Sequence, residues 1–210
     1  SRDLELRGLF IRLLANVGDD DLAIKNAGDL HDSYLVDAGS VEPNVAAAAT
    51  GVVASKGDSA QYEVFLDKYH NPTTPQEERR YQSALSAFSG EAEMDRTLAM
   101  SLDGTVRTQD APYLLAVCMR NKEQGYRAWE FVKSNWDKIN KDFPSNSIVR
   151  MLSGVTSLSK PEQAADVIAF FDDHEVPQGQ LTLQQTLEKL RVNVALRERE
   201  SGSFSDSLTS

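Results

Sequence analysis

Apolar residues recur three and four positions apart along most of this 210-residue chain, which is the spacing of one buried face of an α-helix. The clearest run is expected to form one helix that Pro144 terminates, and it consists of Trp129, Val132, Trp136, Ile139 and Phe143. A similar seam near the end of the chain consists of Leu183, Leu187, Leu190 and Val194. Because no convincing alternating strand pattern occurs, we expect about eleven helices and an all-α fold.

Short polar motifs mark the predicted beginnings of helices. Two capping boxes, Thr74–Glu77 and Ser159–Glu162, each place a hydroxyl group three positions before a glutamate, with a proline between them. Asp58 follows Gly57 and is expected to cap the next helix. The acidic run Asp19–Asp21 is also interpreted as a cap, because the glycine and distal glutamate of a calcium loop do not follow it.

The first sixty residues predict amphipathic helices. One buried stripe, widened by Ile11 and Leu14, is expected from four residues with helical spacing: Leu6, Phe10, Leu13 and Val17. The small side chains of the alanine-rich segment 46–54 would let neighbouring helices approach closely.

Short helices are marginal in isolation, so packing between them must supply the stability. A series of short helix pairs fits either a compact bundle or a superhelical α-solenoid of HEAT-like antiparallel pairs, and we favour the solenoid, although no clean period marks repeats. One helical domain is predicted over residues 1–200. The serine-rich residues 201–210 are predicted to form a flexible tail.

The charge balance limits the partners. The formal net charge is -10 and no lysine- or arginine-rich block stands out, so nucleic acid and membrane surfaces are not expected as partners. No apolar stretch approaches the roughly 18 residues of a membrane helix, and a signal-peptide pattern is absent, which favours a cytoplasmic location. Because the chain starts without methionine, we expect it to be a piece of a longer protein, so a targeting segment ahead of Ser1 stays an open alternative to the cytoplasmic location.

One segment imitates a zinc-binding motif. His174 and Glu175 match the first half of the zinc peptidase motif HExxH, but Gln178 stands where the second histidine is needed. Pro177 would also stop the helix that brings both ligands onto one face. His174 and Glu175 are therefore interpreted as a polar helix end.

Other catalytic residue types are sparse. His31 and His70 have no second ligand at metal-binding spacing, and structural or surface roles are expected for both. The single cysteine, Cys118, lies in an apolar run and is expected to be an inert core residue. No phosphate-binding loop or serine-nucleophile motif occurs, so we predict no catalytic and no metal-binding residue.

Three segments point to a family. The first is Val106–Pro112, and the second is Asn121 with Ala128–Trp136. The third lies within residues 167–193 and includes Val167, Phe170, Phe171, Gln185, Leu187, Glu188 and Asn193. Together these segments resemble the helical C-terminal domain of zinc aminopeptidases of the aminopeptidase N type, related to the domain of endoplasmic reticulum aminopeptidases. The likeness extends from about Tyr62 to Glu200.

In such enzymes, the resemblance implies a separate catalytic domain that holds zinc through HExxH and a distant glutamate, and a bowl-shaped helical domain that closes over it. Neither HExxH nor the family's GxMEN motif occurs here, so no catalytic or zinc-binding residue is carried over. The expected function is to cover the active site and shape peptide access and selection. The expected partners are the catalytic domain of the same polypeptide, which would hold the zinc, and the peptide substrate; the fragment itself would hold no cofactor.

Arg107 and Gln109 are the candidate substrate-binding residues. A guanidinium group offers the fork of donors that a peptide carboxylate needs. A purely structural interpretation is a loop and helix start tied together by Arg107, Thr108 and Asp110.

Two other classes of function stay open. A freestanding HEAT-like scaffold would bind a protein or peptide partner along a concave face, although no tetratricopeptide pattern recurs at its period of about 34 residues. An independent helical enzyme would need His174, Glu175 or Arg107 for activity.

Overall fold

The computed structural model describes residues 2–176 and 179–208, and the side chains of residues 5–176 and 179–201. The α-helices of these residues are α1 (Arg2–Arg12), α2 (Asp21–Val36), α3 (Pro43–Lys56), α4 (Ser59–His70), α5 (Pro75–Leu85), α6 (Glu91–Ala99), α7 (Ala111–Cys118), α8 (Gly125–Ser134), α9 (Trp136–Asp142), α10 (Ser145–Met151), α11 (Pro161–Asp173) and α12 (Gln180–Leu208). A π-helical turn, Leu13–Val17, follows α1, and a 3-10 helix, Leu152–Ser157, follows α10.

Every regular element within the described ranges is helical, which confirms the all-α class. The superhelical arrangement of helix pairs stays a prediction. None of the described helices combines the length and the apolarity needed to span a membrane.

The chain divides into two compact units, residues 1–94 and 95–210. The limits predicted for the helical domain, residues 1–200, stay a prediction. The backbone of α12 continues through Leu208, where the sequence predicted a flexible tail from residue 201, because no proline interrupts the helical run. Residues 209–210 of that tail lie outside the described residues.

Side-chain caps fix the beginnings of three helices as predicted. The carboxylates of Asp20 and Asp58 accept hydrogen bonds of 2.7 Å and 2.9 Å from backbone amides three residues further on. Thr74 Oγ1 accepts from the amide of Glu77 at 3.1 Å. The Glu77 carboxylate accepts a hydrogen bond from the amide of Thr73. A capping box would use the amide of Thr74, one residue further on. These bonds satisfy amide donors that the first helical turn leaves unpaired.

The second predicted capping box is wrong. Lys160, not Ser159, is the N-cap of α11, and no side chain caps this helix. The reason is that Pro161 occupies the first helical position, which leaves Ser159 one residue too early.

The alanine-rich helix α3 is central in the first unit, because α1, α2 and α5 all pack against it. Helices α1 and α3 approach closely at Gly8 of α1, where a Cβ atom would lie 3.0 Å from the carbonyl oxygen of Asn44 and 3.6 Å from Cβ of the buried Ala48. In the neighbouring pair, α4 packs against α5, and the rings of Phe65 and Tyr81 meet edge to face at 5.1 Å between centroids.

The face of α1 that packs against α3 is not the predicted one. Gly8 and Ala15 are buried and Ile11 is half-buried, with spacings of three and four. The predicted stripe lies on the other side, where the exposed fractions of Leu6, Phe10, Leu13 and Val17 are 39%, 56%, 45% and 74%. The small residues Gly8 and Ala15 occupy the buried positions because they allow closer packing against α3. The four predicted residues, together with the exposed Leu9 and Leu14, are named the α1 face.

The 3-10 helix Leu152–Ser157 is central in the second unit, where it packs against α7, α10 and α12. Gly154 makes this possible, because a Cβ atom there would lie 2.6 Å from the carbonyl oxygen of Ala116 on α7. On another side, Asn193 of α12 donates from Nδ2 to the carbonyl oxygen of Thr156 at 2.8 Å. These contacts connect elements that are distant in sequence.

The tryptophan seam is buried as predicted, but it spans two helices. Asn135, with φ -114° and ψ 17°, separates α8 from α9 where one helix was expected. Trp129 and Trp136 each meet the ring of Phe170 on α11 edge to face, at 5.2 Å and 5.4 Å between centroids. The core interpretation of both tryptophans is confirmed.

Replacement of Trp129 by alanine should lower the free energy of unfolding by about 3 to 5 kcal/mol, because it leaves a cavity beside Phe170 and Phe171. Leu181→Ala is the matched control, since Leu181 is 69% exposed, and its effect should stay within about 0.5 kcal/mol. Urea denaturation followed by circular dichroism measures both. Equal effects of the two substitutions would contradict the packing described for the second unit.

Candidate functional site

The predicted substrate-binding residues lie on the loop between α6 and α7. Val106 anchors this loop: its side chain is buried and its amide donates to the carbonyl oxygen of Met100 at 3.0 Å. Gly104, at φ 93°, makes the preceding turn in the left-handed region that favours glycine. Arg107 and Gln109 follow the anchor with exposed side chains.

Backbone bonds hold the loop in place and leave these side chains open to solvent. The carbonyl oxygen of Arg107 accepts from the amides of Asp110 and Ala111 at 2.8 Å and 3.0 Å. Asp110 is the N-cap of α7, but its side chain accepts no capping hydrogen bond. The loop and the start of α7 are therefore tied together by backbone hydrogen bonds and not by the Asp110 side chain. Within the described residues, the guanidinium of Arg107 and the amide of Gln109 make no hydrogen bond or ion pair. Whether they bind peptide stays a prediction.

His31 is a buried structural residue of the first unit. Its ring lies against Phe65 and Tyr81, at 5.3 Å and 6.5 Å between centroids. The Thr50 hydroxyl donates to the carbonyl oxygen of Ala46, so at 3.3 Å it can accept from Nδ1 of His31. Nε2 then carries a lone pair, and no described group donates to it.

Burial lowers the pKa of His31 below its ordinary value. The carboxylate of Asp32 opposes this shift, and the positive charges of Arg80 and Lys68 reinforce it. The ring is therefore held neutral at pH 7, which suits packing among aromatic rings and gives it no role as a proton donor there.

The HExxH-like segment folds as a helix end. His174 is the C-cap of α11, its Nδ1 lies 2.8 Å from the carbonyl oxygen of Phe170, and its ring stacks on Phe170 at 3.9 Å. Glu175 is exposed beyond the helix. The interpretation as a polar helix end is confirmed for these two residues. Pro177 and Gln178 lie outside the described residues.

His70 and Cys118 complete the candidates singled out in the sequence. His70 is exposed in the last turn of α4. Cys118 is fully buried, and burial raises the pKa of its thiol to about 12, so the thiolate needed for nucleophilic chemistry is not available at neutral pH. The inert core interpretation of Cys118 is confirmed. Among the described residues, no group of three metal-ligating side chains forms.

Asp166 of α11 lies in a hydrogen-bonded cluster of side chains that was not predicted from the sequence. Its carboxylate accepts from Trp129 Nε1 at 2.7 Å, from Lys133 Nζ at 2.6 Å and from the Tyr126 hydroxyl at 3.2 Å. Burial alone would raise the pKa of Asp166, but the bonds from Lys133 and Trp129 hold it below its ordinary value. All three donors come from α8, so this cluster ties α8 to α11. No local signal marks it, because the partners are 33 to 40 residues apart.

The fold and these sites define a class: an all-helical protein in which His31 and Cys118 are buried in packing and the candidate substrate-binding residues Arg107 and Gln109 lie on an exposed loop. Comparison with known proteins gives the family. The model of the ERAP1-like C-terminal domain matches residues 1–192. The chain belongs to this family.

Relatives of the chain are much longer aminopeptidases. Aminopeptidase M1 of Arabidopsis thaliana is 30% identical over 199 residues, which is 91% of this chain and 22% of that protein. Endoplasmic reticulum aminopeptidase 2 of Homo sapiens is 26% identical over 204 residues, 94% of this chain and 21% of that protein. The alanine/arginine aminopeptidase of Saccharomyces cerevisiae is 32% identical over 151 residues, 69% of this chain and 17% of that protein. The chain thus spans about a fifth of their length, as part of an aminopeptidase family.

The burial of His31 predicts how stability depends on pH. Its pKa is lowered in the folded state, so below the unfolded value of about 6.5 the unfolded chain binds more protons and stability falls as the pH falls. Urea denaturation at several pH values from neutral to mildly acidic measures this slope. In His31→Phe, which keeps an aromatic ring, the slope should be shallower, whereas His70→Gln should keep it. A slope that is the same in all three proteins would contradict the buried neutral state of His31.

Proposed function

We propose that this chain is the non-catalytic C-terminal domain of a zinc-dependent aminopeptidase, where it covers the active site of the catalytic domain and shapes the access and selection of peptides. The observation that carries the proposal is the family match over residues 1–192, combined with relatives that are aminopeptidases about five times as long. The cytoplasmic location expected from the sequence stays a prediction.

Among the described residues, no group of side chains fits the zinc of the proposed parent. His174 caps and stacks on α11, and His31 is enclosed by aromatic rings, so neither lies beside a second histidine in the manner of HExxH. The metal is therefore assigned to the catalytic domain of the same polypeptide. The role of this chain is steric and selective: a helical cover excludes water, limits the length of substrate that fits and delays exchange with solvent.

The α1 face supports docking onto another part of the same polypeptide. Its six large apolar side chains lie on one side of consecutive helical turns and are between 39% and 74% exposed. A contiguous apolar surface of this kind marks an interaction site in a chain that otherwise carries a net charge of -10. We assign its occupant as an apolar segment of the parent aminopeptidase, because most of the relatives' length lies outside the region matched by this chain.

The loop residues test the proposed role in peptide selection. In the full polypeptide encoded around this chain, replacement of Arg107 and Gln109 by alanine should raise KM for peptides about tenfold, the expected loss of one charge-assisted bond. The kcat for a single-residue chromogenic substrate should not change, because such a substrate does not reach this loop. Arg197→Ala is the matched control on an exposed residue of α12.

Two outcomes would overturn the proposal. If the coding sequence next to this chain contains no HExxH motif with a later glutamate, the chain is a freestanding helical scaffold. Hydrolysis of peptides by the 210-residue chain alone, lost on replacement of His174 or Glu175, would make it an independent helical enzyme.

The α1 face should make the isolated chain associate with itself. Replacement of Phe10 and Leu14 by aspartate should abolish a concentration-dependent increase in mass seen by light scattering, since charge on this surface opposes apolar contact. Replacement of Leu181 and Val192 by aspartate is the matched control, because these apolar residues of α12 are also exposed. The full polypeptide should show no such association. A monomeric isolated chain, or equal effects of both double substitutions, would contradict docking through the α1 face.

A further inference from the structure

A groove in the second unit gathers two arginines from separate helical segments. Arg120 follows the end of α7, and Arg150 lies on α10; both line a cavity of about 340 Å³ that Thr182 and Thr186 of α12 also border. All of its lining residues belong to residues 95–210. The function proposed above uses none of them.

Each guanidinium is held by a neutral hydroxyl group on the opposite segment. Arg120 donates from Nη2 to Ser153 Oγ at 2.8 Å, and Arg150 donates from Nη1 to the Tyr113 hydroxyl at 3.1 Å. The two bonds cross between the α7 side and the α10 side of the groove. The arginine side chains are therefore oriented, and each retains further N–H donors that these bonds do not use.

The two arginines have no carboxylate partner within the described residues, and no aspartate or glutamate lines the groove. This local positive charge is opposite in sign to the net charge of -10 that 32 acidic and 22 basic residues give the chain. Once Ser153 and Tyr113 have accepted from the arginines, their own O–H groups remain available as donors. The groove therefore combines positive charge with hydrogen-bond donors, and none of its lining residues is a carboxylate that would neutralise this charge.

We propose that this groove binds a small oxyanion, either a carboxylate or a phosphate group, between Arg120 and Arg150. Two guanidinium groups suit the paired oxygens of either anion, since each can donate two parallel hydrogen bonds. The side chains of Ala116, Val117 and Val149 form the apolar wall of the same groove, where the carbon group attached to a carboxylate can lie. The proposal does not depend on the aminopeptidase role, because it concerns the chain alone.

Anion titrations of the 210-residue chain test the proposal. Sodium phosphate and sodium propionate are each added at constant ionic strength against sodium chloride, and the Nε–H signals of the arginines are followed by nuclear magnetic resonance. Saturable shifts are expected at the Arg120 and Arg150 signals with at least one anion. Tighter binding of propionate identifies a carboxylate ligand, and tighter binding of phosphate identifies a phosphate ligand.

Variants separate specific binding from general attraction. Arg120→Gln and Arg150→Gln should each weaken binding about tenfold, the effect of losing a charge-assisted hydrogen bond. Arg197→Gln removes the same charge from an exposed site on α12 and should leave the affinity unchanged. Tyr113→Phe and Ser153→Ala keep both charges but release one arginine each, and should weaken binding by a smaller factor. If an arginine variant fails to fold, Tyr113→Phe and Ser153→Ala still test whether the groove binds the anion.

Some results would overturn the proposal. If the signals do not saturate up to tens of millimolar of either anion, the groove has no specific anion site. Arg120 and Arg150 then only connect helical segments. Equal weakening by Arg197→Gln would show that net charge, rather than the groove, attracts the anion.

Discussion

Close approach between helices is the constraint on which both units depend. Most of the helices have 7 to 16 residues, a length at which a helix in water is marginal, so each needs burial against a neighbour. Small residues provide the contact surfaces at the centre of each unit. Alanines of α3 receive α1 in the first unit, and Gly154 lets the 3-10 helix lie against the α7 backbone in the second. Larger residues at these points would separate the helices and expose the aromatic clusters packed beside them.

Buried polar groups follow from the same constraint. A buried donor or acceptor without a partner costs about 1 to 3 kcal/mol, which favours hydrogen bonds between the polar side chains that enter these interfaces. His31 Nε2 and the hydroxyl group of Tyr81 are exceptions, because neither has a partner among the described residues. Asp166 receives three donors from α8, and His31 is kept neutral beside Thr50. The titratable groups inside the units thus stabilise packing. Arg107 on its loop is exposed, and Arg120 in the groove retains N–H donors beyond the one bound to Ser153.

Local features of the fold could be predicted from the sequence, because their partners lie within a few residues. The caps at Asp20, Asp58 and Thr74 need only the next turn of helix. The break at Asn135 was not predictable, since the apolar spacing continues through it.

Features that depend on tertiary contacts were predicted wrongly or missed. The first helix has apolar residues on two sides, and periodicity does not reveal which side α3 covers. The pairing of Arg120 with Ser153 and of Arg150 with Tyr113 spans 33 and 37 residues, so no short motif marks the groove. Arg107 lies on an exposed loop. Its candidate role in substrate binding rests on the family resemblance and stays a prediction, because the residues alone also fit a structural loop.

The two exposed surfaces of this chain use opposite kinds of physical chemistry. The α1 face in residues 1–94 is apolar, and contact through it strengthens or persists as salt rises, because burial of apolar surface does not depend on screened charge. The groove of Arg120 and Arg150 in residues 95–210 is cationic and partly open to solvent, so salt screens its attraction for an anion. The proposed docking onto a larger polypeptide and the proposed binding of an anion are therefore separable in one chain, since ionic strength should weaken the second without releasing the first.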